Sequence, residues 1–315
     1  MTMPRTPRTL TVGTRGSALA LTQTESVIAM LRALHPGLDV HVERITTKGD
    51  VMRDVPLATL GGRGVFVDAI EEALRLKVID LAVHSAKDLP SRVPPDLAIG
   101  AFLERADPRD VLISHAGPLR DLPRGARVGT SSLRRVSQVH AVRPDLDTRD
   151  LRGNVDTRLR KLDAGDYDAI VLAGAGLLRL GLEERVTEWL SPESMLPSPG
   201  QGALAVEIRA DDIELRDVVR PLAHAPTEAA LTAERAFLAR LGAGCAAAVG
   251  AYATLDDDDR LTLRAMIGTA DGRAVHWREN GDRAGASALG ERVANHLLNI
   301  GGRELAAESE RPSLV

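Results

Sequence analysis

Three short tracts place anion-binding chemistry at the ends of strand-like segments. Gly129-Thr130-Ser131-Ser132-Leu133-Arg134-Arg135 joins hydroxyls and two guanidinium groups to the free backbone N–H groups of a helix start. Leu151-Arg152-Gly153-Asn154-Val155-Asp156-Thr157-Arg158 repeats the arrangement, and Gly13-Thr14-Arg15-Gly16-Ser17 gives a third instance. Helix N-termini attract anions through their dipole and unpaired donors. Arginine rather than lysine points to carboxylates or phosphates gripped in bidentate fashion. Any one tract alone reads as a cap with a nearby arginine. Three of them after strands, where open α/β sheets bind ligands, point to a polyanionic ligand.

Two further residues stand out. Asp88, in His84-Ser85-Ala86-Lys87-Asp88-Leu89-Pro90, follows an apolar strand. It reads either as a residue stabilising the turn before Pro90 or as a carboxylate in a basic cleft, placed to stabilise a cation on a bound substrate. Cys245 is the single cysteine and lies in a tract of small residues, Leu241 to Gly250. It cannot form an internal disulfide or head a cysteine-rich metal site. It reads either as a small buried hydrophobe or as a thiol brought up to a ligand on a flexible segment.

The elements that must position these residues follow an α/β rhythm. Leu10 to Gly13 is strand-like, Ser17 is placed to cap a helix through Leu34, and Val40 to Ile45 is the next strand. A glycine-rich loop, Gly61-Gly62-Arg63-Gly64, leads to a helix from Val67 to Leu76. Ile79 to Val83 is a nearly continuous apolar run, as expected of a parallel strand covered on both faces. After a proline-containing link, Leu103 to Arg109, strands are expected at 127–129, 147–151 and 168–172, with helices opening at Ser131 or Ser132, near Asn154 and after Gly176. A second link, Leu196 to Gly202, precedes a strand from Ala203 to Ile208 that reads as a return into the first sheet. From Thr227 a helix runs to Leu241, followed by strands at 249–254, 261–267 and 274–277 and a helix over Ala286 to Asn299. The expected fold is α/β: two hinged lobes with a cleft between them, 1–103 with return strand 203–222 and 104–202, plus a small C-terminal α+β domain, 223–315, containing Cys245. Asp256 to Asp259 reads as a solvated hairpin turn, because a calcium loop needs alternating ligand spacing.

Composition narrows the function. The chain has 315 residues, ordinary hydrophobic and charged content and a net charge of −4. No global positive field draws it to nucleic acid or acidic membranes. Aromatic residues make up only 2%, too few for stacking nucleobases. No signal-peptide-like run occurs, and the longest apolar stretch, Ala169 to Leu178, is too short to span a bilayer. The expectation is a cytoplasmic enzyme with a reduced thiol. No zinc-helix histidine pair, Walker loop or dinucleotide fingerprint occurs, so no metal is expected.

Taken together, the tracts resemble the hydroxymethylbilane synthase, or porphobilinogen deaminase, family. The matching stretches are 14–20, Thr47-Lys48-Gly49-Asp50, 61–64, 82–88, 129–135, Leu151 to Asn154, Pro199-Gly200-Gln201-Gly202 and Gly244-Cys245, in the family's order along nearly the whole chain. The resemblance implies a transferase of porphyrin and haem biosynthesis, with two α/β lobes like hinged periplasmic binding proteins and a third domain carrying the cysteine. Four porphobilinogen molecules are deaminated and joined one at a time to a dipyrromethane cofactor, held as a thioether by Cys245, and hydrolysis releases linear hydroxymethylbilane. It implies Asp88 as the catalytic group. Ser85, Lys87, Asp88, Thr130, Ser131, Ser132, Arg134, Arg135, Arg152 and Gly153 would hold the cofactor. Arg15, Ser17, Gln23, Arg152, Asn154, Arg158 and Gln201 would hold the substrate. It also implies a monomer, no nucleic-acid or membrane partner, and delivery of product to uroporphyrinogen-III synthase. The chain departs from many relatives in having Ala248 where they have proline, and from some in having Thr59 and Arg63 where they have lysine. A two-lobed solute-binding protein would share the anion sites but gives no role to Cys245. A thiol hydrolase lacks a partner that can be placed beside that cysteine.

Overall fold

The computed structural model describes residues 9–47, 67–242 and 248–309. The chain divides into two compact units, 1–105 with 203–228 and 106–202 with 229–315. The Gly61 to Gly64 loop, Thr47-Lys48-Gly49-Asp50 beyond Thr47, Thr59, Arg63 and Cys245 lie outside the described residues.

The first unit is built on β1 (Thr9–Thr14), β2 (Asp39–Arg44), β3 (Leu81–Ser85), β4 (Leu97–Phe102) and β10 (Leu204–Arg209), in the order β2-β1-β3-β10-β4. β1 runs parallel to β2 and β3, whereas β10 returns antiparallel between β3 and β4. The apolar run of β3 is continuous because helices cover both faces. Leu81 and Val83 pack with Val27, Ile28 and Leu31 of α1 (Ala18–Leu34), while Ala82 packs with Ile70, Ala73 and Leu74 of α2 (Asp68–Arg75). Ser17 caps α1 by accepting the Ala20 N–H at 3.2 Å. The helix ends before Gly37, whose φ of +89° closes the turn.

The second unit contains a sheet ordered β7-β6-β8-β5-β9, from β5 (Asp110–Ser114), β6 (Arg127–Gly129), β7 (Asp147–Arg149), β8 (Ala169–Ala173) and β9 (Glu188–Trp189). Here too β6 is parallel to β7 and β8, and β5 is antiparallel to β8 and β9. Helices α3 (Leu133–Val142), α4 (Val155–Asp163) and α5 (Gly174–Arg179) follow β6, β7 and β8. The same unit holds an antiparallel sheet, β11 (Ala248–Leu255), β12 (Arg260–Gly268) and β13 (Ala274–Asp282), with α8 (Ala286–Leu297) packed on it. Helix α6 (Ile213–Val219) belongs to the first unit, and α7 (Ala225–Leu241) runs from the first into the second.

Several elements differ from the sequence reading. β4 and β5 flank the proline-containing link, and each is an apolar run short enough to be lost beside it. β13 extends to Asp282 rather than Trp277, because backbone pairing with β12 continues through Arg260 and Asp282 although the side chains turn polar. A further helix, α9 (Arg303–Ser309), follows the last expected one. The aspartate run is the β11–β12 turn: Asp256 Oδ1 accepts the N–H groups of Asp258 and Arg260, at 3.1 and 2.9 Å. Among the described residues no acidic, histidine or cysteine group could hold a metal ion, and no helix is long and apolar enough to cross a membrane.

Candidate active site

In the first unit a pocket forms where β1 and β3 end and α1 and α2 begin, lined by the polar Arg15, Ser17, Gln23, His84, Ser85 and Asp88 and by apolar residues such as Val67 and Ile70. The strand pairing that sets β1 beside β3 brings Arg15 and Asp88 to one end of the sheet. Asp88 closes a 3-10 turn, Ala86–Asp88, directly after β3. Its half-buried carboxylate makes no hydrogen bond or ion pair among the described residues. Ser85 and Gln23 are tied to each other, with Gln23 Nε2 donating to Ser85 Oγ at 3.0 Å. Half-buried Lys87 adjoins Asp88 in the turn.

The second unit brings the other two tracts to the same end of its own sheet. Thr130 is buried and its hydroxyl accepts the Ser132 N–H. Ser132 caps α3 and Asn154 caps α4, and neither side chain makes the capping hydrogen bond. Both helix starts therefore keep donors that an anion would satisfy. Gly153 has φ +112°, and a Cβ there would meet Thr157 Cγ2 at 2.6 Å, so only glycine fits the turn into α4. Arg158 Nε donates to the Gly153 carbonyl at 2.8 Å, and Arg152 Nε to Asp150 at 3.0 Å. Ser131, between Thr130 and Ser132, is half-buried.

Arg134 and Arg135 are placed differently from their sequence neighbours. Both are buried, and both reach Asp110 at the start of β5: Arg134 Nη1 at 2.6 Å and Arg135 Nη2 at 2.8 Å. Arg134 also donates to the Leu196 carbonyl and Arg135 to that of Val171. Gln201, likewise buried, donates from Nε2 to Asp110 Oδ1 at 2.9 Å. Burial pushes the Asp110 carboxyl up, but the charges of Arg134 and Arg135 and their hydrogen bonds, with that of Gln201, outweigh it and hold it below the ordinary aspartate value. Its contribution to stability is thus present above the unfolded aspartate value and lost as pH falls below it.

Asp110 is a residue that the sequence reading missed. Asp110→Asn keeps the shape and leaves two buried guanidinium groups without a counter-charge. The expected cost is about 3–5 kcal/mol, read as a lower urea midpoint. An unchanged midpoint would show that the carbonyl contacts alone satisfy both arginines. Glu234 of α7 was missed as well. It is fully buried, and its two oxygens accept the N–H groups of Gly200 at 2.6 Å and Ala253 at 2.8 Å. It thereby ties the Pro199 to Gly202 loop to β11, the strand that follows the cysteine tract. Arg179, at the end of α5, donates to the Gly202 carbonyl, and burial pulls its guanidinium below the usual range. The signal for these residues was their charge inside apolar runs.

Within the first unit the pocket sets an acceptor, the Asp88 carboxylate, beside the cationic Arg15. Within the second unit the helix starts offer N–H donors suited to carboxylate groups.

The comparisons with known proteins agree with this chemistry. The family model described as "Porphobilinogen deaminase, dipyromethane cofactor binding domain" matches residues 10–217, and "Porphobilinogen deaminase, C-terminal domain" matches 229–299. The porphobilinogen deaminase of Roseiflexus castenholzii is 56% identical over 95% of this chain and 98% of its own. That of Syntrophobacter fumaroxidans is 47% identical over 97% of this chain and 99% of its own. Among solved structures, the BenM effector-binding domain with its effector benzoate aligns at 15% identity and a TM-score of 0.42, covering 68% of this chain and 90% of that one. With both family models matched in order along the sequence, the chain belongs to the porphobilinogen deaminase family.

Proposed function

We propose that Asp88 accepts the pyrrole N–H groups of bound porphobilinogen and stabilises the positive charge that develops as ammonia departs. The reaction is the family's: four porphobilinogen molecules are joined stepwise by deamination on a dipyrromethane primer, and linear hydroxymethylbilane is released by hydrolysis. The observation that supports the role of Asp88 is its carboxylate, half-buried in a pocket with Arg15 and without a hydrogen-bond partner among the described residues. A carboxylate preset beside a forming cation lowers the barrier without reorganising.

Dipyrromethane, when bound, would supply the free pyrrole α-carbon for the first addition, and the unit last added would supply it for each one after. Cys245 is the residue we assign to its thioether. Ser85, Lys87, Thr130, Ser131, Ser132, Arg134, Arg135, Arg152 and Gly153 are assigned to holding it, the last seven from the helix starts of the second unit. Arg15, Ser17, Gln23, Asn154, Arg158 and Gln201 are assigned, with Arg152, to the carboxylates of incoming substrate. The burial of Arg134, Arg135 and Gln201 on Asp110 makes their contribution one of positioning the loop as well as of charge. The three-domain division 1–103 with 203–222, 104–202 and 223–315 belongs to this reading, as do a cytoplasmic monomer and transfer of product to uroporphyrinogen-III synthase.

Intact mass tests the reading. Purified protein should exceed its sequence mass by two porphobilinogen units less two ammonias. Brief exposure to porphobilinogen should add a ladder of species one deaminated unit apart. A protein at its bare sequence mass that binds porphobilinogen without laddering would instead be a solute-binding relative.

A further inference from the structure

Of the ionisable side chains lining the pocket, Arg15, His84 and Asp88, only His84 has no assigned task. On β3 the alternation that sends Leu81 and Val83 toward α1 sends Ala82 and His84 toward α2. The antiparallel register sets Ala205 opposite His84 and Glu207 opposite Ala82, so Glu207 of β10 lies on the same face. His84 Nε2 and Glu207 Oε2 are 3.0 Å apart, with the two residues 6% and 0% exposed. The other Glu207 oxygen is buried without a hydrogen-bond partner. From α2 comes a second buried carboxylate, Glu71, bonded to Arg75 at 3.2 Å. Burial, and next the charge of Glu207, raise the Glu71 carboxyl. His84 thus meets Glu207 from β10, whose charge also reaches Glu71 on α2, and shares its pocket with Asp88 and Arg15. Its Nδ1 has no hydrogen-bond partner among the described residues.

A carboxylate on one imidazole nitrogen fixes the tautomer and orientation of the ring, and it stabilises the imidazolium formed when the other nitrogen takes a proton. A buried carboxylate with one oxygen unpartnered is costly to keep, and an interior strand position is otherwise apolar here. We propose that His84 is the proton acceptor of the coupling step, with Glu207 as its positioning residue. The proposal rests on the reading of the pocket given for Asp88. In each addition a C–C bond forms between the aminomethyl carbon of porphobilinogen and the α-carbon of the terminal pyrrole. The C–N bond breaks, with its electron pair leaving on ammonia. The α-carbon C–H bond breaks, with its proton passing to His84 Nδ1. The imidazolium then returns that proton to ammonia, which leaves as ammonium. Asp88 stabilises the cation throughout and takes no proton, so the two groups have separate tasks.

The test uses the cofactor-loaded full chain and two readouts. In 15N-imidazole NMR of resting protein, His84 should show a protonated Nε2 and a bare Nδ1, and Glu207→Leu should abolish that preference. A ring protonated on Nδ1 and bare at Nε2 would overturn the proposal. In single-turnover mass ladders His84→Asn should slow addition about 10²-fold, with added imidazole restoring part of the rate. The concentration of porphobilinogen giving half-maximal rate should stay within about twofold. If His84→Asn does not fold, His84→Gln is read in the same way. A folded His84 variant climbing at the wild-type rate while Asp88→Asn stalls would sink the role of His84 alone. Wild-type rates in both would sink the reading of the pocket as well.

Discussion

Asp88→Asn is expected to slow porphobilinogen addition by two to three orders of magnitude while leaving the fold intact. The substitution keeps the size and planarity of the side chain and removes its charge. A single well-aimed electrostatic group is worth about 3–4 kcal/mol at a developing charge, which is about 10²–10³ in rate. Little stability should be lost, because the carboxylate makes no hydrogen bond or ion pair among the described residues that the change would break. The turn that presents it is set by the backbone, with the Leu89 N–H donating to the Ala86 carbonyl. Mass spectrometry of cofactor-loaded protein after a short exposure to porphobilinogen measures the effect. The variant should remain at the cofactor mass while the wild type climbs. A variant that climbs as fast would make Asp88 a turn residue and place the cation elsewhere.

What could be read from the sequence was local. Helix starts at Ser17, at Ser131 or Ser132 and near Asn154 were legible because a cap is a matter of residue type and position, and the structure caps the last two with Ser132 and Asn154. That Ser17 makes the capping bond and the other two do not depends on the surrounding fold. The run before Asp88 was legible as a strand buried on both faces because its residues are apolar without alternation. The partners of the charged residues were not legible. Arg134 and Arg135 read as cations for ligand carboxylates, and their bonds to Asp110 were not legible, because Asp110 is brought to them from 24 and 25 positions earlier by β5 lying beside β8. His84 and Glu207 are 123 positions apart and meet only because β10 returns beside β3. Local sequence patterns do not encode such contacts; sheet order creates them.

Cys245→Ala should abolish turnover and leave the protein at its bare sequence mass. The described residues on either side of the cysteine tract are well anchored. α7 ends at Leu241, β11 begins at buried Ala248 opposite Gly268, and Glu234 bonds both the Gly200 loop and Ala253. Ala248 therefore opens the strand that follows the cysteine tract. Replacing one small side chain by another between such anchors costs little stability, so lost activity would report lost chemistry. A thiolate is a far better nucleophile than an alcohol at neutral pH, so Cys245→Ser should be nearly as inactive as the alanine variant. Ehrlich's reagent in acid should colour the wild type and neither variant. Both variants should melt within a few degrees of cofactor-free wild type, which is the proper reference because bound cofactor itself adds stability. A Cys245→Ala protein that carries the adduct mass would show that another group holds the primer, and one that turns over without any adduct would show that no covalent anchor is needed.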